Sequence, residues 1–203
     1  MKIGLRTAIV APITAYTEGS AITYGTGAVI GKAMTANLTW TRNTNQAYAD
    51  DALDESDNSI TSGQLTYGLN DLTDEARVLV LGDEAVGTDT ATYYEENGAS
   101  GPDVGFGYIK VHMRAGVLIY IAHWIHKVKF AVNSESTNTK GQNIEWQHPE
   151  IVGDIAGVTI DNTGKLRWRK HKEFSSYAAA LAWLKGFANI TSSSSSSTTG
   201  TGN

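Results

Sequence analysis

The sequence predicts a mainly β fold of the α+β class, and three observations carry that reading. Short runs alternate apolar with polar residues, as in Met34 to Thr41 and Leu65 to Leu69, and period two marks half-buried strands. Glycine is frequent at 21 residues and proline scarce at 3, with Thr, Ser and Asn between the apolar runs. That is the composition of many turns joining strands. Only two stretches, Ala76 to Val80 and Tyr177 to Phe187, place apolar residues at helical spacing. With 203 residues, 41% of them hydrophobic, the chain is long enough for one large domain with a substantial core.

The first apolar segment, Ala8 to Ile13, is strand-like. Residues 28–42 alternate, with Met34, Ala36, Leu38 and Trp40 on one face. Residues 43–63 then carry little apolar content and five acids, Asp50, Asp51, Asp54, Glu55 and Asp57. So long a polar segment inside a domain reads as a long loop or arm. Residues 64–70 alternate again through Leu65, Tyr67 and Leu69. A short helix follows: Asp71 or Thr73 caps it, Asp74 and Glu75 suit its positive end, and Gly82 stops it. Residues 83–105 read as an acidic surface loop with a strand near Thr90–Glu95.

Residues 106–114 and 117–132 form two long strands joined by a turn at Ala115-Gly116. Val117 to Ile125 is apolar on both faces, which places it centrally in a sheet covered on both sides. Val128, Phe130 and Val132 then alternate against Lys127 and Lys129. Ile144 and Trp146 mark another strand. Asp161 to Gly164 makes a hairpin turn between Val158/Ile160 and Leu166/Trp168. Ser175 or Ser176 caps a second helix, whose stripe is Tyr177, Ala180, Leu181, Leu184 and Phe187. Residues 191–203 are Thr, Ser, Gly and Asn and are expected to be disordered. The expected division is a domain over 1–190 and a tail over 191–203.

Net charge is −5 and no basic tract occurs, which argues against sequence-specific nucleic-acid binding. Charge is unevenly placed. Residues 43–105 hold fourteen acids and one base, and residues 106–203 hold eleven bases and six acids. Opposite surfaces on one subunit suit head-to-tail association, although a solvated acidic loop beside an ordinary sheet gives the same pattern. There is no cysteine, so disulfides and thiolate chemistry are excluded. The opening is a poor signal peptide, because its apolar part is short and broken by Pro12. The longest apolar run is too short for a bilayer, which takes about 20 residues.

No catalytic constellation emerges. His123 and His126 have a ligand-like spacing but point to opposite faces of a strand. The acids from Asp50 to Asp57 lack the Gly and the distant Glu of a calcium loop. Gly105-Phe106-Gly107 lacks the third glycine and the helix of a dinucleotide site. The tryptophans fall on apolar strand phases or in the closing helix, as core or interface residues do. No enzyme activity, cofactor or metal is expected.

Several segments taken in order resemble the major tail protein family of temperate siphophages of Gram-positive hosts, the phi13 or TP901-1-like type. They are Lys2 to Leu5 with Ala8 to Ile13, Tyr48-Ala49-Asp50-Asp51, Gly63 to Thr73, the helix closed by Leu81-Gly82, Lys127 to Phe130, Thr139 to Pro149, and Ala178 to Gly186. The resemblance spans residues 2–188. It implies a two-sheet β-sandwich of the tail-tube type, with a flanking helix, a C-terminal helix and long inter-subunit arms. It implies hexameric rings stacked around a tape-measure protein into a non-contractile tube, with terminator and baseplate proteins at its ends. It further implies that DNA passes through without specific binding and that the protein resides in the virion tail after assembly in the host cytoplasm. On this reading Tyr48, Asp50, Asp51, Asp54 and Asp57 form an inter-subunit arm, and Lys165, Arg167, Arg169 and Lys170 its basic partner face. The alternatives are another tail ring protein, such as a terminator or baseplate hub, and a carbohydrate-binding β-sandwich.

Overall fold

In the computed structural model, residues 1–49, 52–87, 92–96, 100–132 and 148–190 are described. The chain opens with β1 (Lys2–Ala15), β2 (Thr23–Tyr24), β3 (Ala28–Gly31) and β4 (Ala33–Arg42). A ribbon of β5 (Gln46–Ala49) and β6 (Ala52–Ser56) leads into β7 (Ile60–Leu69). Helix α1 (Asp74–Leu81) precedes β8 (Glu84–Val86) and β9 (Tyr93–Glu95). The long pair β10 (Asp103–Arg114) and β11 (Val117–Val132) is followed by β12 (Glu150–Ile155), β13 (Arg169–Phe174) and α2 (Tyr177–Phe187).

Nine strands form one antiparallel sheet in the order β2-β1-β10-β11-β12-β7-β4, with β13 also on β11 and β3 also on β1. The fold is mainly β, and its two facing layers are halves of this one sheet. Strand β11 belongs to both. Tyr120 to Ile125 pair with β13, Val128 to Val132 pair with β12, and β10 runs along the other edge. Val104 faces Val128 and Phe106 faces Ile125, so the register shifts between them. The extra residue on β11 is a bulge, which bends a strand and changes which face its side chains occupy. Ala122 and Trp124 therefore face α2, whereas Ile125, Val128 and Phe130 face the core between the layers. Gly105 sits at this bend. A Cβ there would lie 2.5 Å from the rings of both Trp124 and Tyr24, so only glycine lets the strands close.

The inter-layer core is built from Ala8 and Val10 of β1, Leu65, Tyr67 and Leu69 of β7, Phe106 and Tyr108 of β10, and Val128 and Phe130 of β11. Phe106 is its centre, with edge contacts to Tyr67 at 4.9 Å and Phe130 at 5.2 Å between ring centroids. Alternate residues of the same strands, Ile9, Ala11, Ile109 and Trp124, meet Ala180 and Leu184 of α2. The apolar stretch of β11 is thus covered on both faces, as its composition predicts. The cover stops before the hairpin tip, where Val117 is 61% and Leu118 40% exposed.

Both helices begin as the sequence predicts. The Thr73 hydroxyl accepts from the Ala76 amide and Gly82 closes α1 at φ 81°, while Ser176 caps α2 by accepting from Ala179. The Ala115-Gly116 turn also stands, both residues having positive φ. Asp161 orders the later turn through the Thr163 amide, and Val158 bridges Arg167.

Two local expectations change. Met34 is 44% exposed, because a register shift between Ala33 and Thr35 moves Ala33 to the core and breaks the alternation at its first member. The acidic segment is an antiparallel ribbon, β5 with β6, rather than a loop. The strand expected near Thr90–Glu95 forms as β9, which pairs with β8 in the acidic stretch after α1. The expected strand at Ile144 and Trp146 and the tail over 191–203 lie outside the described residues. No helix among the described residues is long and apolar enough to cross a membrane.

Candidate assembly surfaces

Four features leave the body of the sheet unsatisfied or project from it. The first is the arm. Strands β4 and β7 pair from Ala33/Leu69 to Trp40/Gly63 over the core and continue past it to Arg42/Ile60. Their ribbon is extended by Asn43 N–H donating to Ser59 O at 2.8 Å and Asp57 N–H to Asn45 O at 2.9 Å. Strands β5 and β6 then pair from Gln46/Ser56 to Ala49/Ala52. The backbone places Tyr48 opposite Leu53 and leaves Asp54 at the register shift. Asp50 and Asp51, which follow β5 in sequence, lie outside the described residues.

Asp57 has a defined local task. Its carboxylate accepts from the Ser59 amide at 2.8 Å, the Ser59 hydroxyl at 3.2 Å and Asn43 Nδ2 at 2.7 Å. The Ser59 backbone and side-chain bonds, then that from Asn43, hold its carboxyl below the usual carboxylate range. Hydrogen bonds to the ionised form have that effect. Asp57 therefore fixes the root of the ribbon.

The second feature is the basic set expected to meet the arm. Lys165 and Arg167 are exposed. Arg167 is engaged within its own turn, with Nη2 3.3 Å from Asp161. Arg169 and Lys170 are consecutive on β13 and point to opposite faces. Arg169 lies over Trp40 at 5.8 Å, and Lys170 over Phe187 of α2 at 4.1 Å. Burial lowers the Lys170 pKa. The four bases do not share one face, because strand alternation separates the last two.

The third feature is the outer end of β1, β10 and β11, which extends beyond the cores. On one face stand Lys2, Lys110, His112 and Arg114. Lys2 is opposite His112, and Lys110 is opposite both Leu5 and Ile121. Arg114 reaches across to Glu173 of β13 at 3.2 Å. Exposed apolar residues Met1, Ile3, Met113, Val117 and Leu118 occupy the same end. Met1 is tied there by reciprocal bonds with the Met113 backbone. Sequence reasoning passed over this cationic row. Its signal was Lys110-x-His112-x-Arg114, a period-two run of bases inside a strand.

The fourth feature is open sheet edge. Strand β4 ends the path of the sheet, and β13 is paired only with β11. Among the described residues neither has a strand on its outer side. Such edges present unpaired backbone donors and acceptors to a neighbour.

His123 and His126 fall on opposite faces of β11, as alternation requires. His123 stacks on Tyr108 at 5.1 Å and 22°, while His126 approaches Tyr24, which donates from its hydroxyl to the His126 carbonyl at 2.8 Å. Burial, followed by neighbouring cations, depresses His123 to about 3 and His126 to about 4. Both imidazoles are neutral in the fold. Among the tryptophans, Trp124 is fully buried, Trp40 packs edge-on against Trp168 at 5.7 Å, and Trp183 packs against Phe187 at 4.8 Å.

A scan against protein-family models matches none to this chain, and a search of curated proteins finds no match.

Proposed function

We propose that this chain is a structural virion subunit, the major tail protein of a long-tailed phage. It forms hexameric rings that stack around a tape-measure protein into a non-contractile tube, capped by terminator and baseplate proteins. The observation that carries the reading is the arm: the β4–β7 ribbon outruns its own core and continues as β5–β6. A two-stranded ribbon is of marginal stability alone and gains from a partner surface. The open edges of β4 and β13 and the apolar tip at Met113 and Leu118 support the same reading. Unpaired edges and clustered exposed apolar residues are features of surfaces completed by another chain. So does the ordered resemblance along residues 2–188.

In this reading the subunit works by geometry. A heterologous contact closes around the ring and another propagates along the axis. Acids at a contact guide register and approach more than they add affinity, and their effect falls with salt. Acids toward the lumen would repel DNA phosphates and let the polymer slide.

The test is negative-stain microscopy of the concentrated protein, with sedimentation at the same concentrations. Rings or tubes are expected. Closed rings that never stack would point to a terminator or hub of the same fold. A strictly monomeric species, with and without a tape-measure partner, would overturn the proposal. Replacing Asp50, Asp51 and Asp54 by Asn then asks whether the arm docks. The folded variant should polymerise poorly, and Asp57 is left intact because it holds the arm's root.

A further inference from the structure

Across β10, β11 and β13, the residues Tyr108, His123 and His171 stand side by side on one face. The rings of His123 and His171 are 5.6 Å apart, and His123 stacks on Tyr108. His123 is 6% exposed and Tyr108 fully buried, yet neither the His123 Nδ1 nor the Tyr108 hydroxyl has a hydrogen-bond partner. Buried polar atoms are nearly always partnered, and two orphans side by side call for an explanation. The surrounding groups are cations. Lys110 Nζ lies 5.5 Å over the Tyr108 ring. Arg169 approaches the Tyr108 hydroxyl, but no hydrogen bond of good geometry closes on that oxygen. Burial, and then the nearby charges of Lys2 and Arg169, disfavour the charged form of Lys110. Among the described residues neither Lys110 nor Arg169 has a carboxylate partner, and Glu173, the nearest acid in register, is taken by Arg114.

We propose that this cluster binds an oxyanion, held by Lys110 and Arg169 with the Tyr108 hydroxyl and a ring nitrogen of His123 as directional donors. An anion would supply the missing acceptor for the buried hydroxyl and offset the mutual repulsion of the cations. Charge-assisted bonds from a guanidinium and an ammonium are the usual means of holding such a ligand. This site is independent of the tail-protein reading. A free phosphate-type ion and a carboxylate of a second copy share the required chemistry.

The experiment titrates the full chain with inorganic phosphate, follows the imidazole proton resonances of His123 and His171 by NMR, and measures sedimentation at each concentration. Saturable shifts of both rings are expected. Lys110→Met and Arg169→Met should each weaken phosphate binding roughly tenfold while the resonance of His148, which is not a member of the cluster, stays unchanged. Tyr108→Phe should weaken it by less and keep the fold. If phosphate also dissolves self-association, the natural occupant is a carboxylate of a second copy. If association is unaffected or absent, it is a free ion. Shifts that do not saturate, or that survive both Lys110→Met and Arg169→Met in a folded protein, would overturn the site.

Discussion

The two long hairpins of this molecule have the same local geometry and opposite fates. The β10–β11 hairpin is apolar on both faces and lies between two cores, one against β7 and α1, the other against α2. The β4–β7 hairpin offers one apolar face, through Ala36, Leu38 and Trp40, and that face ends before the strands do. Each hairpin leaves the body at its far end, and there the charges differ. The first ends among Lys110, His112 and Arg114, and the second leads to five acids between Asp50 and Asp57. Burial decides which part of a hairpin is scaffold, and the residues left beyond it are free to serve contact.

The largest expected effect tests the doubly covered hairpin. Leu184 of α2 is fully buried in the core that contains Trp124. Leu184→Asp puts an unpaired charge there and should cost several kcal/mol, about 3–5, or prevent folding. A thermal melt equal to the parent's would show that α2 is not a structural cover. Leu181→Asp, at a partly buried position of the same stripe, should cost less.

Truncating aromatics compares the hairpins directly. Phe130→Ala removes a fully buried ring from the inter-layer core and should cost about 3–5 kcal/mol. Trp40→Ala removes a partly buried ring at the edge of that core and should cost less. Denaturant midpoints of the two variants check the order, and the reverse order would break the comparison.

Acid should act through β11. His123 and His126 are held neutral, at about 3 and about 4, against about 6.5 in an unfolded chain. Below about 6.5 the unfolded state binds more protons than the folded one. The contribution of the neutral pair is therefore fully present above that pH and is lost as pH falls toward 4 and then 3. Thermal midpoints should decline over this window. His123→Phe should flatten part of the decline, and an unchanged slope in both His123→Phe and His126→Phe would assign it to other groups.

The smallest effect on stability belongs to the arm. Asp57→Ala removes three hydrogen bonds at the arm's root but touches neither core. The melting temperature should stay close to the parent's, while limited proteolysis within residues 43–59 becomes faster. A large drop in melting temperature would mean that the ribbon is part of the cooperative scaffold.

Much of the scaffold was legible in the residues themselves. Leu65, Tyr67 and Leu69 alternate and are buried, Thr73 and Ser176 cap the helices they precede, and Ala115-Gly116 turns the central hairpin. Such features depend on neighbours in the chain, through backbone sterics, capping bonds and side-chain period. The tertiary structure alone decided three further matters. The bulge near Ile125 lets one strand serve both layers, because β10, β12 and β13 must all pair with it. The exposure of Met34 follows from a register shift against β7. The grouping of Lys110, Tyr108, His123, His171 and Arg169 depends on cross-strand register. That register brings together residues up to 63 positions apart, and no local pattern encodes it, because it is set by how the whole sheet closes over its cores.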